Sequence, residues 1–346
     1  MAAFNLSLPK LQIAINRAWQ DPIRNTQFIA HVDALRGQLQ RQTITLGPQI
    51  TGSGRNAKQI TQTIFWPEVC STSTSSCSDE CTTASGEATD NSQDVTLSCL
   101  REAGFVESFK RFRVSPLNWE EVVAYQLLLK MKALDEYLNT AYIAFLEANK
   151  GEHEYELSVG LDNAGDWEIP TVDWDVNLIP EFLLAATIAE FSNPYILDGT
   201  NFWTQRAQAA AYQQNLDGKG AQNLFGNGNT FDWVVDPISL NAAAPGKTYM
   251  VNPSAVAFVS GNFWATTPEN FAGTHRMYKI ASRNLPGVWY DIHELESCTS
   301  NDFVTSWKIR VNGAFLLNPL NCEKEDRKST RLNSSHLKLS RMPSSA

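Results

Sequence analysis

Cysteines are the residues of this chain with the widest range of chemistry, and there are six of them. Four lie in or beside a segment rich in serine and threonine: Cys70, Cys77, Cys81 and Cys99. Cys298 and Cys322 stand apart, and no pair has the Cys-x-x-Cys spacing of a zinc ribbon. Three interpretations stay open: free thiols in a reducing cytoplasm, which is the default, disulfides within or between subunits formed outside the cell, or a zinc knot. The first four are therefore our candidates for a disulfide or cross-link.

Two histidines sit beside carboxylates, His153 in EHEYE and His293 in DIHELE. A zinc-protease helix needs a second histidine four residues after the first, so that both face the metal. Those positions hold Leu157 and Ser297, so the motif fails twice. The alternating pattern around His293 is typical of a strand, which favours an exposed or hydrogen-bonded histidine over a metal ligand.

The segment PGKT, residues 245–248, has the letters of a phosphate-binding loop. That motif requires a glycine five residues before Gly246, where this chain has Asn241, and a helix afterwards. The following TYMVN instead predicts a strand, so PGKT is interpreted as a turn. The nucleophile-elbow pattern Gly-x-Ser-x-Gly does not occur either.

An acidic segment surrounds Trp167 and Trp174. Its carboxylates form two pairs: Asp166 with Glu168, and Asp173 with Asp175. Glycoside hydrolysis needs two carboxylates a few ångströms apart, a distance that sequence spacing does not define. The segment is interpreted as a solvated loop that could bind a cation. Taken together, these patterns predict no catalytic, metal or cofactor site, and the chain is not expected to be an enzyme.

The element that would position the rest of the chain is a long helix predicted over residues 116–150. Ser115 and Pro116 form a helix-start signal, and Lys150 followed by Gly151 provides a stop. An apolar stripe recurs at steps of three and four: Val123, Leu127, Met131, Leu134, Leu138, Ala141 and Phe145. A second apolar set widens this stripe, so we expect the helix to pack on a sheet. Its predicted length is roughly 50 Å.

Other segments flank this helix. Residues 1–47 form an amphipathic arm whose apolar faces need a surface to pack on, and residues 42–115 form a two-legged strand excursion. Residues 70–94 are rich in serine and threonine with almost no apolar side chain, which predicts an exposed loop. After the helix, strands are predicted in NPYILDG, NTFDWVVD and KTYMVN and a helix over residues 200–216, and alternating strands close the chain. The predicted class is α+β.

Composition and charge narrow the function. The chain has 346 residues, 43% hydrophobic and 19% charged, as expected for a folded protein with a sizeable core. It has no apolar run of about 18 residues, and its start lacks the features of a signal peptide. Residues 326–346, beginning DRKSTRLNSSH, look like a translated DNA-sequencing adapter and are interpreted as an artefact. Without them 23 basic and 36 acidic residues remain, a net charge of −13, which argues against a nucleic-acid clamp.

In this order of parts, and in segments such as NPYILDGTNFW, KTYMVNPSAVAFV and SWKIRVNGAFLLNP, the chain resembles the major capsid protein of tailed double-stranded-DNA bacteriophages, with the Hong Kong 97-like fold. The resemblance implies an N-terminal arm at 1–47, an extended loop with a Ser/Thr/Cys-rich tip at 48–115, and a spine helix with the peripheral domain at 116–179. It implies an axial domain at 180–280 and return strands of the peripheral domain at 281–325.

The resemblance also implies a function. Copies would self-assemble into hexamers and pentamers of an icosahedral head that encloses double-stranded DNA, without catalysis, cofactor or membrane. Portal, scaffold or decoration proteins would be further partners, DNA contacts would be non-specific, and assembly in the host cytoplasm would place the protein in the virion capsid. Two alternatives stay open: another virion or encapsulin-like shell protein, which differs in cargo, and a secreted carbohydrate-active enzyme, which predicts a signal sequence and a stable monomer.

Overall fold

The structure is a computed structural model. It describes residues 8–23, 25–51, 60–66, 91–108, 110, 118–150, 161–163, 166–169, 184–186, 191, 194–199, 232–263, 269–270, 274–299, 302–318 and 336–337. The helices are α1 (Leu8–Gln20), α2 (Asp33–Arg41), α3 (Trp119–Ala148) and α4 (Ser239–Ala243), with a 3-10 turn at Asn25–Gln27. The described strands before residue 252 are β1 (Thr45–Thr51), β2 (Ile60–Trp66), β3 (Asn91–Ser108), β4 (Leu161–Asn163), β5 (Asp166–Glu168), β6 (Tyr195–Asp198), β7 (Asp232–Val235) and β8 (Thr248–Val251). The later ones are β9 (Val256–Gly261), β10 (Glu269–Asn270), β11 (His275–Ala281), β12 (Trp289–Thr299), β13 (Asp302–Leu317) and β14 (His336–Leu337). The α+β class is confirmed.

The largest sheet is antiparallel and has the order β1-β2-β3-β13-β12-β11-β10, with β9 also paired to β13. It branches at the bulge between Val311 and Asn312. Before the bulge β13 lies between β3 and β12, and after it β13 pairs with β9. The close approach of β9 to β13 requires a glycine at position 313, because a Cβ there would lie 2.7 Å from the carbonyl oxygen of Val259. Beyond the branch, residues 91–97 of β3 pair with β2, so β2 and β3 form a ribbon.

Helix α3 confirms the predicted long helix, although it is shorter than expected at both ends. Its 30 residues span about 45 Å at 1.5 Å per residue. The start predicted at Pro116 is wrong, because Asn118 is extended (φ −70°, ψ 150°) and the helix begins at Trp119. At the other end Asn149 is the C-cap residue, with a non-helical backbone (φ −121°, ψ 24°), so the helix ends before Lys150.

Residues on both apolar sets of α3 lie in the main core: Val123, Leu127, Leu128, Met131, Leu134, Leu138, Tyr142 and Leu146. One side of this core comes from the large sheet, through side chains such as Trp307 and Ile309. The other side comes from α1 and α2, which contribute Leu11, Ile15 and Leu35. The expectation that α3 packs on a sheet is confirmed, and two helices cover it as well.

The amphipathic faces predicted in the first 47 residues are also confirmed, and their packing surface is this chain's own long helix. Leu11, Phe28, Val32 and Leu35 are fully buried in the core that α3 shares with the sheet. These helices therefore bury their apolar area within the isolated subunit. The sequence showed that the faces were apolar but could not show what covers them.

Helix α2 is capped by side chains from distant elements. Its N-cap residue, Val32, has no side-chain hydrogen-bond acceptor. The N–H of Ala34 instead donates to Asp236 Oδ2 at 3.2 Å, and the N–H of Leu35 donates to Asn139 Oδ1 at 2.8 Å. Asn139 Nδ2 also donates to Asp236 Oδ2 at 2.7 Å. This buried cluster, which we call the capping hub, ties α2 to α3 and to the end of β7.

A second buried group, Gln38 of α2, joins three more elements. Its Nε2 donates to the carbonyls of Pro253 at 3.1 Å and Val256 at 2.6 Å, just before and within β9. Its Oε1 accepts from the hydroxyls of Tyr142 at 3.2 Å and Tyr195 at 3.0 Å. All four amide hydrogen-bonding positions of this fully buried side chain are therefore used, which offsets the cost of burying it.

A smaller sheet has the order β14-β8-β6-β7. The strands predicted in NPYILDG, NTFDWVVD and KTYMVN are confirmed as β6, β7 and β8, and β6 pairs with β7 in parallel. PGKT is a turn followed by a strand, as expected, with Gly246 at φ 71°. Residues 336–337, in the segment interpreted as an artefact, pair with β8.

The helix predicted at 200–216 and most of the serine- and threonine-rich loop lie outside the described residues. None of the helices within the described ranges is long and apolar enough to span a membrane.

Candidate assembly surface

The face of the large sheet that points away from α3 is set by strand alternation. Trp307 and Ile309 of β13 lie in the main core, so Lys308 and Arg310 project from the opposite face. Cross-strand partners place further residues on that face. We call this the outer sheet face, defined by Glu102, Val106, His275, His293, Leu295, Ser306, Lys308 and Arg310.

Basic groups gather in the middle of the outer sheet face. Glu102 Oε2 lies 2.8 Å from Lys308 Nζ and 3.1 Å from Arg310 Nε, and these ion pairs lower the pKa of Glu102. The rings of His275 and His293 are 5.6 Å apart. Burial, together with the positive charges of Arg310, His275 and Lys308, lowers the pKa of His293 to about 4. Lys308 and Arg310, which we call the basic patch, share the carboxylate of Glu102, and Asp291 is the cross-strand partner of Arg310.

Exposed apolar side chains lie at the end of the sheet where β12 and β13 meet. Val106 and Leu295 are 58% and 45% exposed and lie on either side of Ser306 in the pairing register. Phe303, 54% exposed, is paired with Cys298 and, by strand alternation, lies on the same face as Trp307, opposite to Val106 and Leu295. Single exposed apolar residues are common, but exposed apolar side chains on both faces at one end of a sheet indicate an end that another protein covers.

The structure describes one of the four cysteines that were candidates for cross-linking. Cys99 lies on β3, has a free and exposed thiol, and is paired with Asn312. Burial raises its pKa, so the thiol is less reactive than an ordinary one at neutral pH. Cys70, Cys77 and Cys81 lie outside the described residues, as does Cys322. The unassigned Cys298, on β12, is also free and exposed.

The structure describes three of the remaining chemical candidates, His293, Asp166 and Glu168. His293 lies on a strand, as its alternating pattern predicted. His153, Asp173 and Asp175 lie outside the described residues, and Asp166 and Glu168 form the ends of β5. Within the part of the chain that the structure describes, no three His, Cys, Asp or Glu side chains are grouped to hold a metal ion.

One buried carboxylate, on the long helix α3, was not predicted from the sequence. Asp135 of α3 accepts hydrogen bonds from Ser282 Oγ and Asn284 Nδ2, each at 2.9 Å, and from the hydroxyl of Tyr290. It thereby holds the β11–β12 turn against the long helix. Burial raises its pKa to about 6 although these hydrogen bonds oppose the shift. The sequence feature that could have indicated this group is an acidic residue on the apolar side of a predicted helix.

This carboxyl predicts a pH dependence of stability. Its folded-state pKa lies above the ordinary value of 3.8, so the folded protein holds the proton more tightly than the unfolded chain does. The free energy of unfolding should therefore fall by about 3 kcal/mol as the pH rises from about 4 to about 6. Urea unfolding of wild type and Asp135→Asn at two pH values tests this, and the variant should show the smaller fall. Glu294, whose pKa burial raises to about 7, titrates in both proteins and contributes the same fall to each. Equal falls in wild type and Asp135→Asn would therefore contradict the role given to Asp135.

Comparisons with known proteins give structural matches only. No family model and no curated protein matches the chain. A chain of Mycobacterium phage Bobi aligns with a TM-score of 0.40 and 12% identity over 91% of each chain. A chain of the cyanophage P-SCSP1u capsid aligns with a TM-score of 0.40 and 11% identity over 85% of each, and one of the bacteriophage PhiM1 mature capsid with 0.37 and 11% over 84% of each. All three TM-scores lie below 0.5, so these alignments do not define the function of this chain.

Proposed function

We propose that this protein is the major capsid subunit of a tailed-bacteriophage-type head. Copies assemble into hexamers and pentamers of an icosahedral shell that encloses double-stranded DNA. The observation that carries the proposal is the set of exposed apolar side chains at one end of the large sheet: Val106 and Leu295 on the outer sheet face, and Phe303 on the opposite face. Such a sheet presents a rigid surface to a neighbour, and burial of these side chains favours association.

The β2–β3 ribbon supports the same proposal. Its base packs through Ile60, Ile64, Val95 and Leu97 onto Ala257 and Val259 of β9. The chain between the two strands, residues 67–90, carries 24 residues of mostly small polar side chains that cannot form a core of their own. A ribbon anchored at its base can contact a neighbouring subunit through its far end. Many modest contacts of this kind, repeated by symmetry, give a stable shell.

The division of the chain follows from this proposal. Residues 48–115 are the extended loop, residues 116–179 and 281–325 form the peripheral domain, and residues 180–280 form the axial domain. Residues 1–47 are the N-terminal arm, whose helices α1 and α2 stay docked on α3 of the same subunit. The acidic balance of the chain suits a shell that holds DNA without binding its phosphates tightly.

Cysteines could reinforce the shell once it reaches an oxidising environment. We infer that Cys70, Cys77, Cys81 and Cys99 take part in disulfides within the loop or between subunits. The described member, Cys99, is exposed as such a role requires. The protein itself would act without catalysis or cofactor, in the virion capsid after assembly in the host cytoplasm, with portal, scaffold or decoration proteins as further partners.

Sedimentation velocity of purified residues 1–325 over a range of concentrations tests the function. Large species with a sharp concentration threshold are expected, because each new contact favours the next. Phe303→Ala should raise that threshold while leaving the monomer folded. A monomer that persists at the highest soluble concentration would contradict the proposal and favour the enzyme alternative.

A further inference from the structure

We propose that Asp291 is a positioning residue that fixes the direction in which the β2–β3 ribbon leaves the subunit. This inference rests on the proposed function, because the direction of the ribbon sets the angle at which two copies meet. It follows from the way in which the large sheet divides along β13.

The large sheet forks where β13 exchanges one partner for another along the same edge. Arg310 is the last residue of β13 paired with β12, through Asp291, and Asn312 is the first paired with β9, through Gly261. In the described part of the sheet β9 and β12 are both paired with β13 and not with each other. Because no ladder of backbone hydrogen bonds joins these two branches, their relative position depends on side chains.

The carboxylate of Asp291 bridges this fork. Its Oδ2 accepts a hydrogen bond from Asn312 Nδ2 at 2.7 Å and one from the backbone N–H of Phe263, two residues beyond β9, at 3.1 Å. Asp291 is 1% exposed. Lys279 and Arg310 are its cross-strand neighbours, so the register places a basic residue on either side of the buried carboxylate. Charge-assisted hydrogen bonds are short and directional, so this bridge fixes β12, β13 and the end of β9 relative to one another.

The bridge leads directly to the base of the ribbon. Phe263 packs against the small core that the apolar side chains of the ribbon form with β9. A shift of Phe263 away from Asp291 therefore moves the surface on which the ribbon rests. At about 3.3 Å per residue the seven residues of β2 span about 23 Å, so a tilt of about 10° at the base moves the far end by about 4 Å.

Two other contacts hold the same region. On the inner side, the rings of Phe258 and Phe315 lie 4.7 Å apart against the main core, which supports the β9 branch from behind. Across the fork, Ser260 Oγ donates to the carbonyl of Gly287 at 3.1 Å, at an exposed position where water can replace the bond. Asp291 is thus a buried tie on the outer side of the fork, where the ribbon rests.

Asp291→Ala removes the bridge and the acceptor that two N–H donors share. The amides of β9 and of the ribbon should then exchange hydrogen about tenfold faster, while those of α3 stay protected. The assembly threshold should rise about tenfold and the products should vary in diameter, because a less fixed ribbon has to be ordered when it binds. Asp291→Asn keeps an acceptor of the same size and should retain most of the protection. Asn312→Ala removes one of the two bonds and should give a smaller change of the same kind.

Two controls separate positioning from general destabilisation. Asp135→Ala removes another buried carboxylate, but its partners hold the β11–β12 turn to α3 and do not belong to the fork. Ser260→Ala removes the exposed bond across the same fork. Both controls should leave hydrogen exchange in the ribbon and the diameter of the products as in wild type.

Hydrogen exchange measured by mass spectrometry on the unassembled subunit, followed by electron microscopy of assembled samples, gives the two readouts. Thermal melting checks that each variant folds, and Asn312→Ala carries the test if Asp291→Ala does not fold. Faster exchange confined to β9 and the ribbon, together with mixed diameters, is the expected result.

Unchanged exchange in β9 and the ribbon of the folded variants would overturn the inference, whether or not the protein assembles. Faster exchange with the threshold and diameter of wild type would also overturn it, because the direction of the ribbon would then not govern the contact. An equal effect in Asp135→Ala would reduce the role of Asp291 to stability. A wild type that stays monomeric contradicts the proposed function instead, and it removes the link between Asp291 and assembly.

Discussion

Replacing Trp307 with alanine is expected to lower the free energy of unfolding by about 3 to 5 kcal/mol. Trp307 is 2% exposed and stacks on Phe105 with ring centroids 4.8 Å apart. Its ring also lies 5.8 Å from that of Trp119, the first residue of α3. The side chain therefore joins β13, β3 and the beginning of the long helix. Urea unfolding monitored by far-ultraviolet circular dichroism, which follows the backbone and not tryptophan fluorescence, measures the loss of stability.

Phe303→Ala is the matched control for this change. Both aromatic residues belong to β13, but Phe303 is 54% exposed at the end of the sheet. Its removal should change stability by less than about 0.5 kcal/mol while weakening assembly. The two variants thus separate the core of the subunit from the surface proposed to bind a neighbour. Equal destabilisation by the two changes would show that this end of the sheet belongs to the core.

Asn139→Ala is expected to cost about 3 kcal/mol because it dismantles the capping hub. The change removes the acceptor for Leu35 N–H and the donor to Asp236 Oδ2 and to the carbonyl of His31. These groups lie in or near the core, where an unsatisfied hydrogen-bonding group costs about 1 to 3 kcal/mol. Since α2 loses part of its cap, protection of its amides from hydrogen exchange should fall before that of α3.

Thr140→Ala provides the comparison for Asn139→Ala at the adjacent position of the same helix. Thr140 is exposed, and its hydroxyl donates only to the carbonyl of Glu136 at 3.0 Å. Its replacement should leave stability within about 0.5 kcal/mol of wild type. A stability loss for Asn139→Ala no larger than that of Thr140→Ala would show that α2 does not depend on the hub.

Periodicity in the sequence was sufficient to predict the elements that carry the fold. The spacing of Val123, Leu127, Met131, Leu134 and Leu138 predicted α3, because residues three and four apart share one face of a helix. Alternation likewise predicted β12 and β13. Local start signals were less informative. Ser115 and Pro116 favoured an earlier start, but the helix begins at Trp119, beside Trp307.

Long-range pairing could not be predicted in the same way. Glu102, Lys308 and Arg310 meet only because β3 and β13 are neighbours in the sheet, although about 200 residues separate them in sequence. The caps of α2 come from Asn139 and Asp236 for the same reason. The predicted arm has an apolar face that a neighbour or its own chain could equally cover, and only the fold shows that α3 covers it.

Electron microscopy of the assembled protein tests the central claim most directly. Purified residues 1–325 would be concentrated above the threshold found by sedimentation and imaged in negative stain. The account predicts closed shells, or rings whose class averages have fivefold and sixfold symmetry, and it predicts their loss in Phe303→Ala at the same concentration. Uniform monomers in the wild type, with no ring or shell at any concentration, would contradict the assignment of this protein as a capsid subunit.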